Sequence, residues 1–415
     1  MMSKERQFID AGRTKSMSEA RRIVNQGAFD KAMAKVEKGK TPVSEIMRPY
    51  VDKYFTRSRH ILEMENLNPW VNIQVFIRKG PGELQGIKES IELLSELGAF
   101  RNEECRVYTD LDGSHYGAGQ TIMNIVAPVQ DIIEWETLYL GIISYRTSVS
   151  NGKDFDGYGF ENNIKEVVRL VYPRSVLYFG ARHWHWQLDN FLSDLAFKNG
   201  CIDCSTDNGA KNAGKEGIGT IPHSLENIYA YYYGVENAVV KSTLAFHKYM
   251  PKEIPRIALI DYANQELTNT ISLMNELGVY LDGVRIDTCG ENIMEGINEL
   301  TYPAEWKVNG VSLAGVAAVS KLFIDTDKQV ILSSGFGNPK KVESFLDAEK
   351  YLGRKLFDAI GAGFMDNIIT ATADIVAVGE TSYSVDFIGG LPLMENIVHK
   401  VGRLPKVNES LKRAI

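Results

Sequence analysis

The side chains of this 415-residue chain that could do chemistry sit in a few polar stretches, each just after a short apolar run. Gly219-Thr220-Ile221-Pro222-His223-Ser224 is the central one. A glycine followed by a hydroxyl residue lets backbone come close to an anion, and the histidine three residues after that threonine can exchange a proton or attack phosphorus. Read alone, His223 also fits a structural hydrogen-bonding role at a helix start. Arg182 lies in Phe179-Gly180-Ala181-Arg182-His183-Trp184-His185-Trp186. A guanidinium framed by histidines and tryptophans can pair with an anion and stack on a ring; alternatively the tryptophans are core and Arg182 is a surface ion-pair partner. In Val284-Arg285-Ile286-Asp287-Thr288, Arg285 and Asp287 alternate with apolar residues and share one strand face. Two charges on a buried strand are costly unless paired or used. Asp261 is a further acid, for a metal or a ribose hydroxyl. Ser333-Ser334-Gly335-Phe336-Gly337 and Gly361-Ala362-Gly363 are glycine-rich, so their N–H groups can face a phosphate closely.

These stretches need a scaffold that brings them together, and the pattern from about residue 170 supplies one. Short apolar runs, each followed by a polar or glycine cluster and then a helix, recur at 175–180, 200–205, 218–220, 256–261, 283–288, 329–335 and 358–363. Strand-then-helix repetition predicts parallel strands with crossover helices, and so many units in this length predict a barrel. Chemistry then sits on the loops after the strands, with phosphate after the last two. Those are the loops at Ser333–Gly337 and Gly361–Gly363, so a phosphorylated ligand is expected. Residues 51–145 mix strand and helix: 70–78 alternates like a strand, 86–97 is helical, 119–126 is a strand ended by Pro128, and 134–143 is an amphipathic helix. From Ala373 onward the chain reads as strands and a basic tail (Lys400, Arg403, Lys406, Lys412, Arg413) that returns to the first domain. The expected divisions are a basic helical extension over 1–48, an α/β sandwich from 49–145 with 374–415, and an α/β barrel over 146–373.

A net charge of −7 argues against nucleic acid as the main partner. There is no run of 18 apolar residues and no apolar signal core, so a cytoplasmic, non-membrane protein is expected. Four cysteines fit a reducing compartment. Cys201 and Cys204 form a CxxC with no second pair to complete a zinc site, and they read as structural, their thiols pointing to different sides of a strand. The segment before residue 50 mixes charges of both signs and reads as a helix packed on the body or on a partner subunit.

Taken in order, the motifs resemble those of nicotinate phosphoribosyltransferases over most of residues 50–405. Asp52-Lys53-Tyr54-Phe55-Thr56-Arg57 resembles the family's Asp-x-Tyr-Phe-x-Arg segment, and Glu136-Thr137 with Leu138 and Leu140 resembles its Glu-Thr-x-Leu-Leu helix. Phe179-Gly180-Ala181-Arg182 with His185 resembles Phe-Gly-Ala-Arg-Arg-x-His. Ser205-Thr206, Gly209-Ala210 and Gly219-Thr220-Ile221-Pro222-His223 resemble the Ser-x-x-x-Gly-Ala and Gly-Thr-Met-Pro-His blocks. Val284–Thr288, Ser334-Gly335 and Gly361-Ala362-Gly363 complete the set. Three features differ: His183 replaces the second arginine, Phe364 stands where a hydroxyl residue commonly follows Gly-x-Gly, and the C-terminal segment lacks the cysteines of the zinc knuckle some members carry.

The resemblance implies an irregular α/β barrel with an α/β sandwich built from both chain ends, usually as a homodimer with sites near the subunit interface. It implies that nicotinate and phosphoribosyl pyrophosphate give nicotinate mononucleotide and pyrophosphate, in NAD biosynthesis, with ATP as co-substrate and Mg2+ as cofactor. His223 would be transiently phosphorylated. Thr220 would lie beside nicotinate, and Tyr54, from this chain or a neighbouring subunit, would border its ring. Arg182 or Arg285 would hold the carboxylate, a planar anion suited to guanidinium. Ser334, Gly335, Gly361, Ala362 and Gly363 would hold the 5′-phosphate, and Asp287 a ribose hydroxyl or, through water, magnesium. The rival readings are a nicotinamide or quinolinate phosphoribosyltransferase, or a catalytically silent nucleotide-binding homologue.

Overall fold

The computed structural model describes residues 4–25, 42–298, 301–365 and 367–415. It is an α/β structure built on two larger sheets. The first is antiparallel, in the order Ala371–Gly379, Trp70–Ile77, Thr121–Pro128, Arg106–Thr109, Lys412–Arg413, so it takes strands from both parts of the chain. Trp70–Ile77 is its hub, pairing Trp70 with Gly379 on one side and with Pro128 on the other. This strand alternates apolar and polar residues, yet every one of them is buried. The polar positions face returning chain instead of water: Asn72 donates to Val385 O at 2.9 Å, Asn124 to Asn72 Oδ1 at 2.9 Å, and Gln74 to Leu404 O at 3.1 Å. Each buried amide thus has a partner, without which its burial would be costly.

The second sheet is parallel, in the order Asp203–Cys204, Ser175–Tyr178, Ala359–Ala362, Gln329–Leu332, Gly283–Ile286, Ile257–Leu259. By position in the chain these are its second, first, sixth, fifth, fourth and third strands, which is the cyclic order of a barrel with one seam, between the second and the third. The expected strand at 218–220 lies in that seam. It forms no regular ladder, but Ile218 N–H donates to Cys204 O at 2.9 Å and the Thr220 hydroxyl to Ile257 O at 2.6 Å. The barrel is irregular because this stave is a loop. Arg57 donates to the carbonyl of Gly219, and the Tyr54 ring packs against that glycine, so the early Asp-x-Tyr-Phe-x-Arg segment pins the seam.

Helix Glu136–Ser150 lies between the two sheets and is almost entirely buried. Gly141 allows its backbone to touch the barrel, since a Cβ there would overlap the carbonyl of Trp184. Ser144 and Ser148 accept from the N–H groups of Ala371 and Ile369 at 2.9 and 2.8 Å, fixing where strand Ala371–Gly379 begins. Helix Lys4–Asn25 buries Ala20 and Val24 and pairs Arg21 with Asp154 at 2.5 Å, so the described part of the N-terminal extension packs on the body. Residues 26–41 of that extension lie outside the described residues.

Two local expectations change. Only Asp203–Cys204 of the 201–204 run is strand; Cys201 and Cys204 are buried free thiols, as structural cysteines would be. The basic C-terminal segment returns to the first sheet, where Lys412–Arg413 pairs with Thr109 and Tyr108, but Lys400 is 2% exposed and reaches the barrel. Among the described residues no helix is long and apolar enough to cross a membrane.

Candidate active site

The C-terminal ends of the barrel strands face the beginning of strand Ala371–Gly379 across a cavity of about 290 Å³, and an adjoining cavity of about 350 Å³ lies among the barrel loops. Arg182, His183, Asp287, Ser334 and Met365 line both. Such a crevice at the C-terminal face is where a barrel binds ligands.

At one end stands His223, the first residue of helix His223–Tyr233. Its Nε2 is 3.2 Å from both oxygens of Asp261 and 2.8 Å from Lys400 Nζ, and Lys400 is ion-paired with Asp261. Asp261 is 0% and Lys400 2% exposed, whereas His223 is 26% exposed and lines the first cavity. Burial and then the charge of Lys400 lower the His223 pKa, so the imidazole is neutral near pH 7 and retains a lone pair. Burial works to raise the Asp261 carboxyl, but Lys400 and His223 outweigh it and hold it well below the usual range. Asp261 therefore orients His223 and neutralises Lys400, in place of the metal or ribose role expected of it. Lys400 had no strand end or motif to mark it; only its burial reveals it.

At the other end are the two glycine-rich loops. Ser334 (φ 67°), Gly335 (φ 87°) and Phe364 (φ 48°) adopt left-handed backbone, which is strained for the two that are not glycine. Lys341 donates to Ser334 O at 2.8 Å. A Cβ on Gly361 would overlap the Phe179 ring, and one on Gly337 would lie 3.2 Å from Phe364 Cα, so the glycines let the loops close on each other. Phe364 is 3% exposed and meets Phe160 edge-on, so it replaces the expected hydroxyl residue as a wedge beneath the loop. Ser334, Gly335, Gly361, Ala362 and Gly363 all line the second cavity.

Between the ends lie the charged residues. Arg285 pairs with Asp287 at 3.3 Å and donates to Ile221 O at 3.1 Å and the Ser333 hydroxyl at 3.4 Å, tying the seam to the phosphate loop. Arg182 pairs with Glu136 at 3.3 Å. Trp184 and Trp186 are core, packed against Phe155 and Tyr50, and do not frame an anion. Burial pushes the Glu136 carboxyl up to about 7 against the pull of Arg182, and burial raises Asp374 to about 7 as well. Burial and then Arg182 lower His183 to about 3, so it is neutral, and its buried Nδ1 has no hydrogen-bond partner. Glu136, Asp374, Arg78, Lys400 and Arg403 all line the first cavity, and none of them was singled out by sequence for a role there. Tyr54 and Thr220 are not on the walls of either cavity; they hold the seam beside His223.

No family model matches the chain, and no curated protein matches it. Among solved structures it is similar to a nicotinate phosphoribosyltransferase from Porphyromonas gingivalis, at TM-score 0.56 and 13% identity over 85% of this chain and 92% of that one. It is also similar to one from Vibrio cholerae, at TM-score 0.56 and 13% identity over 80% of this chain and 86% of that one. The likeness is one of fold. It extends over most of this chain and of each relative.

Proposed function

We propose that the chain is a nicotinate phosphoribosyltransferase, joining nicotinate to phosphoribosyl pyrophosphate and releasing pyrophosphate, with ATP hydrolysed through a phosphohistidine at His223. The observation that carries this reading is one continuous crevice with a neutral, carboxylate-oriented histidine at one end, two glycine-rich anion loops at the other, and guanidiniums between. The fold likeness and the ordered motifs support it.

In this reading the Ser334-Gly335 and Gly361–Gly363 loops hold the 5′-phosphate through backbone N–H groups, with the neutral His183 Nδ1 beside Gly363 as a further polar contact. Arg182 and Arg285 take the carboxylate of nicotinate. The pyridine nitrogen lone pair attacks the anomeric carbon as the bond to pyrophosphate breaks and its electrons leave with the oxygen. Catalysis is positioning plus stabilisation of the departing charge, and Arg78, Arg403 and Lys400 supply cations on that side. His223 attacks the γ-phosphorus of ATP with its free lone pair, ADP departs, and the phosphoryl group is later passed to water.

Among the described residues no three metal-binding side chains gather. Asp287, on the wall of both cavities, is the carboxylate we assign to magnesium carried in on a polyphosphate, since this ion keeps waters and takes one or two carboxylates. When bound it would offset the charge of the leaving group. A homodimer is part of the proposal, on the strength of the resemblance alone.

The test is pyrophosphate release from phosphoribosyl pyrophosphate on adding nicotinate, together with ATP hydrolysis by His223→Ala. Nicotinate-dependent release, and loss of ATPase in the variant, are expected. ATPase unchanged in His223→Ala would remove the phosphohistidine, and no release with any pyridine base would remove the transferase.

A further inference from the structure

A third cavity, of about 810 Å³, lies along helix Pro339–Leu352 and is larger than either cavity of the active site. Its volume is that of a site for a molecule of drug or cofactor size. Two kinds of surface meet in it. Trp306, stacked on Tyr302 at 6.0 Å and 10°, meets Tyr351 edge-on at 5.8 Å and 70°, and the Tyr351 ring is 64% exposed. Lys307, Lys340 and Lys341 give it cations, and among the described residues none of the three has a carboxylate partner within ion-pair distance. Asp347 on the same wall is paired with Lys350 at 2.8 Å, which leaves Glu305 as the one lining carboxylate without an ion-pair partner.

We propose that this cavity is a second ligand site, for a nucleotide. An aromatic base would lie on Trp306 and Tyr351, the phosphates would meet Lys340 and Lys341, and Glu305 would accept from ribose hydroxyls, the usual partner of a diol in a nucleotide site. An apolar ligand would leave the lysines unmatched, and a simple inorganic anion would leave the aromatic faces bare; a base joined to a phosphate uses both. Burial lowers the Lys341 pKa to about 8 against the pull of Asp287, and its ammonium lies 4.4 Å over the Phe336 ring. The same ammonium donates to Ser334 O, which puts the cavity one side chain from the active-site phosphate loop. This inference does not rest on the transferase reading, because no residue in it other than Lys341 touches the active site.

The test is photolabelling with 8-azidoadenosine 5′-diphosphate followed by peptide mapping, on the unaltered protein, on Lys307→Gln/Lys340→Gln and on Tyr351→Ala. Label on peptides carrying Trp306 or Tyr351 is expected. It should fall at least tenfold in both variants while label on the His223 peptide stays the same, and inorganic phosphate alone should compete weakly. Label confined to active-site peptides, or label at Trp306 unaffected by either variant, would overturn the proposal. Both variants change exposed side chains, and a far-ultraviolet circular dichroism spectrum and thermal midpoint matching the unaltered protein show that they are folded.

Discussion

Lys400→Met probes the reasoning about the histidine most sharply. In the parent, Lys400 and Asp261 are 2% and 0% exposed and paired with each other, with the His223 imidazole against both. Removing one partner of a buried pair leaves a buried charge uncompensated and costs about 3–5 kcal/mol. The consequence for chemistry has the same origin. Burial and then Lys400 lower the pKa of His223, and Asp261 raises it; with the lysine gone, burial still opposes the proton but the charge beside the imidazole is that of Asp261, so its pKa rises. Each unit by which its pKa exceeds the assay pH lowers the free imidazole about tenfold. Lys400→Met should therefore lose stability in urea by about 3–5 kcal/mol, and its ATPase should fall at pH 7 and recover in part at pH 8.5. Lys400→Met/Asp261→Asn removes both charges and should recover much of the stability but not the ATPase. The reasoning fails if the two single substitutions are additive in the double variant, or if the ATPase of Lys400→Met keeps the parental pH profile.

Glu136 and Asp374 each titrate at about 7 on the cavity wall, raised by burial, so both ionise as pH rises from 6 to 8. Ionised Glu136 competes for Arg182, so the KM for nicotinate should rise across that range, and Glu136→Gln should flatten the profile; a steeper profile would contradict this. The linked effect on stability has the same sign: a carboxyl raised on folding stabilises below its unfolded pKa and loses that contribution as pH climbs through 7. Gly361→Ala would press a methyl into the Phe179 ring, an overpacking that costs about 1–3 kcal/mol. It should raise the KM for phosphoribosyl pyrophosphate at least tenfold with less effect on nicotinate; an equal effect on both substrates would point to general unfolding.

Much of this was legible in the sequence because it is local. Strand ends carry their own polar residues, so Arg285 and Asp287 on alternate positions, His223 at a helix start and the glycines of the two loops announce themselves by spacing. The strand-helix recurrence is local too, and it located all the parallel strands. What escaped was non-local. Lys400 lies 177 residues from His223, in a segment that reads as a basic tail returning to the first domain, and only the fold brings it under the histidine. Glu136 matched a motif, but its raised carboxyl depends on how helix Glu136–Ser150 is buried between the sheets. The alternation in Trp70–Ile77 marks a strand, but that both its faces are buried depends on the C-terminal segment covering it, which sequence does not show. Residues 218–220 have the apolar character of a stave, but pairing across the seam is by single hydrogen bonds and not a ladder.

The central claim is that this crevice joins a pyridine carboxylate to a phosphoribosyl group. Its most direct test is mononucleotide formation from phosphoribosyl pyrophosphate and magnesium, with nicotinate and nicotinamide in parallel, each with and without ATP, the products identified by mass. Nicotinate mononucleotide alone, formed faster with ATP, is the predicted result. Nicotinamide mononucleotide as the main product would contradict the guanidinium carboxylate pocket.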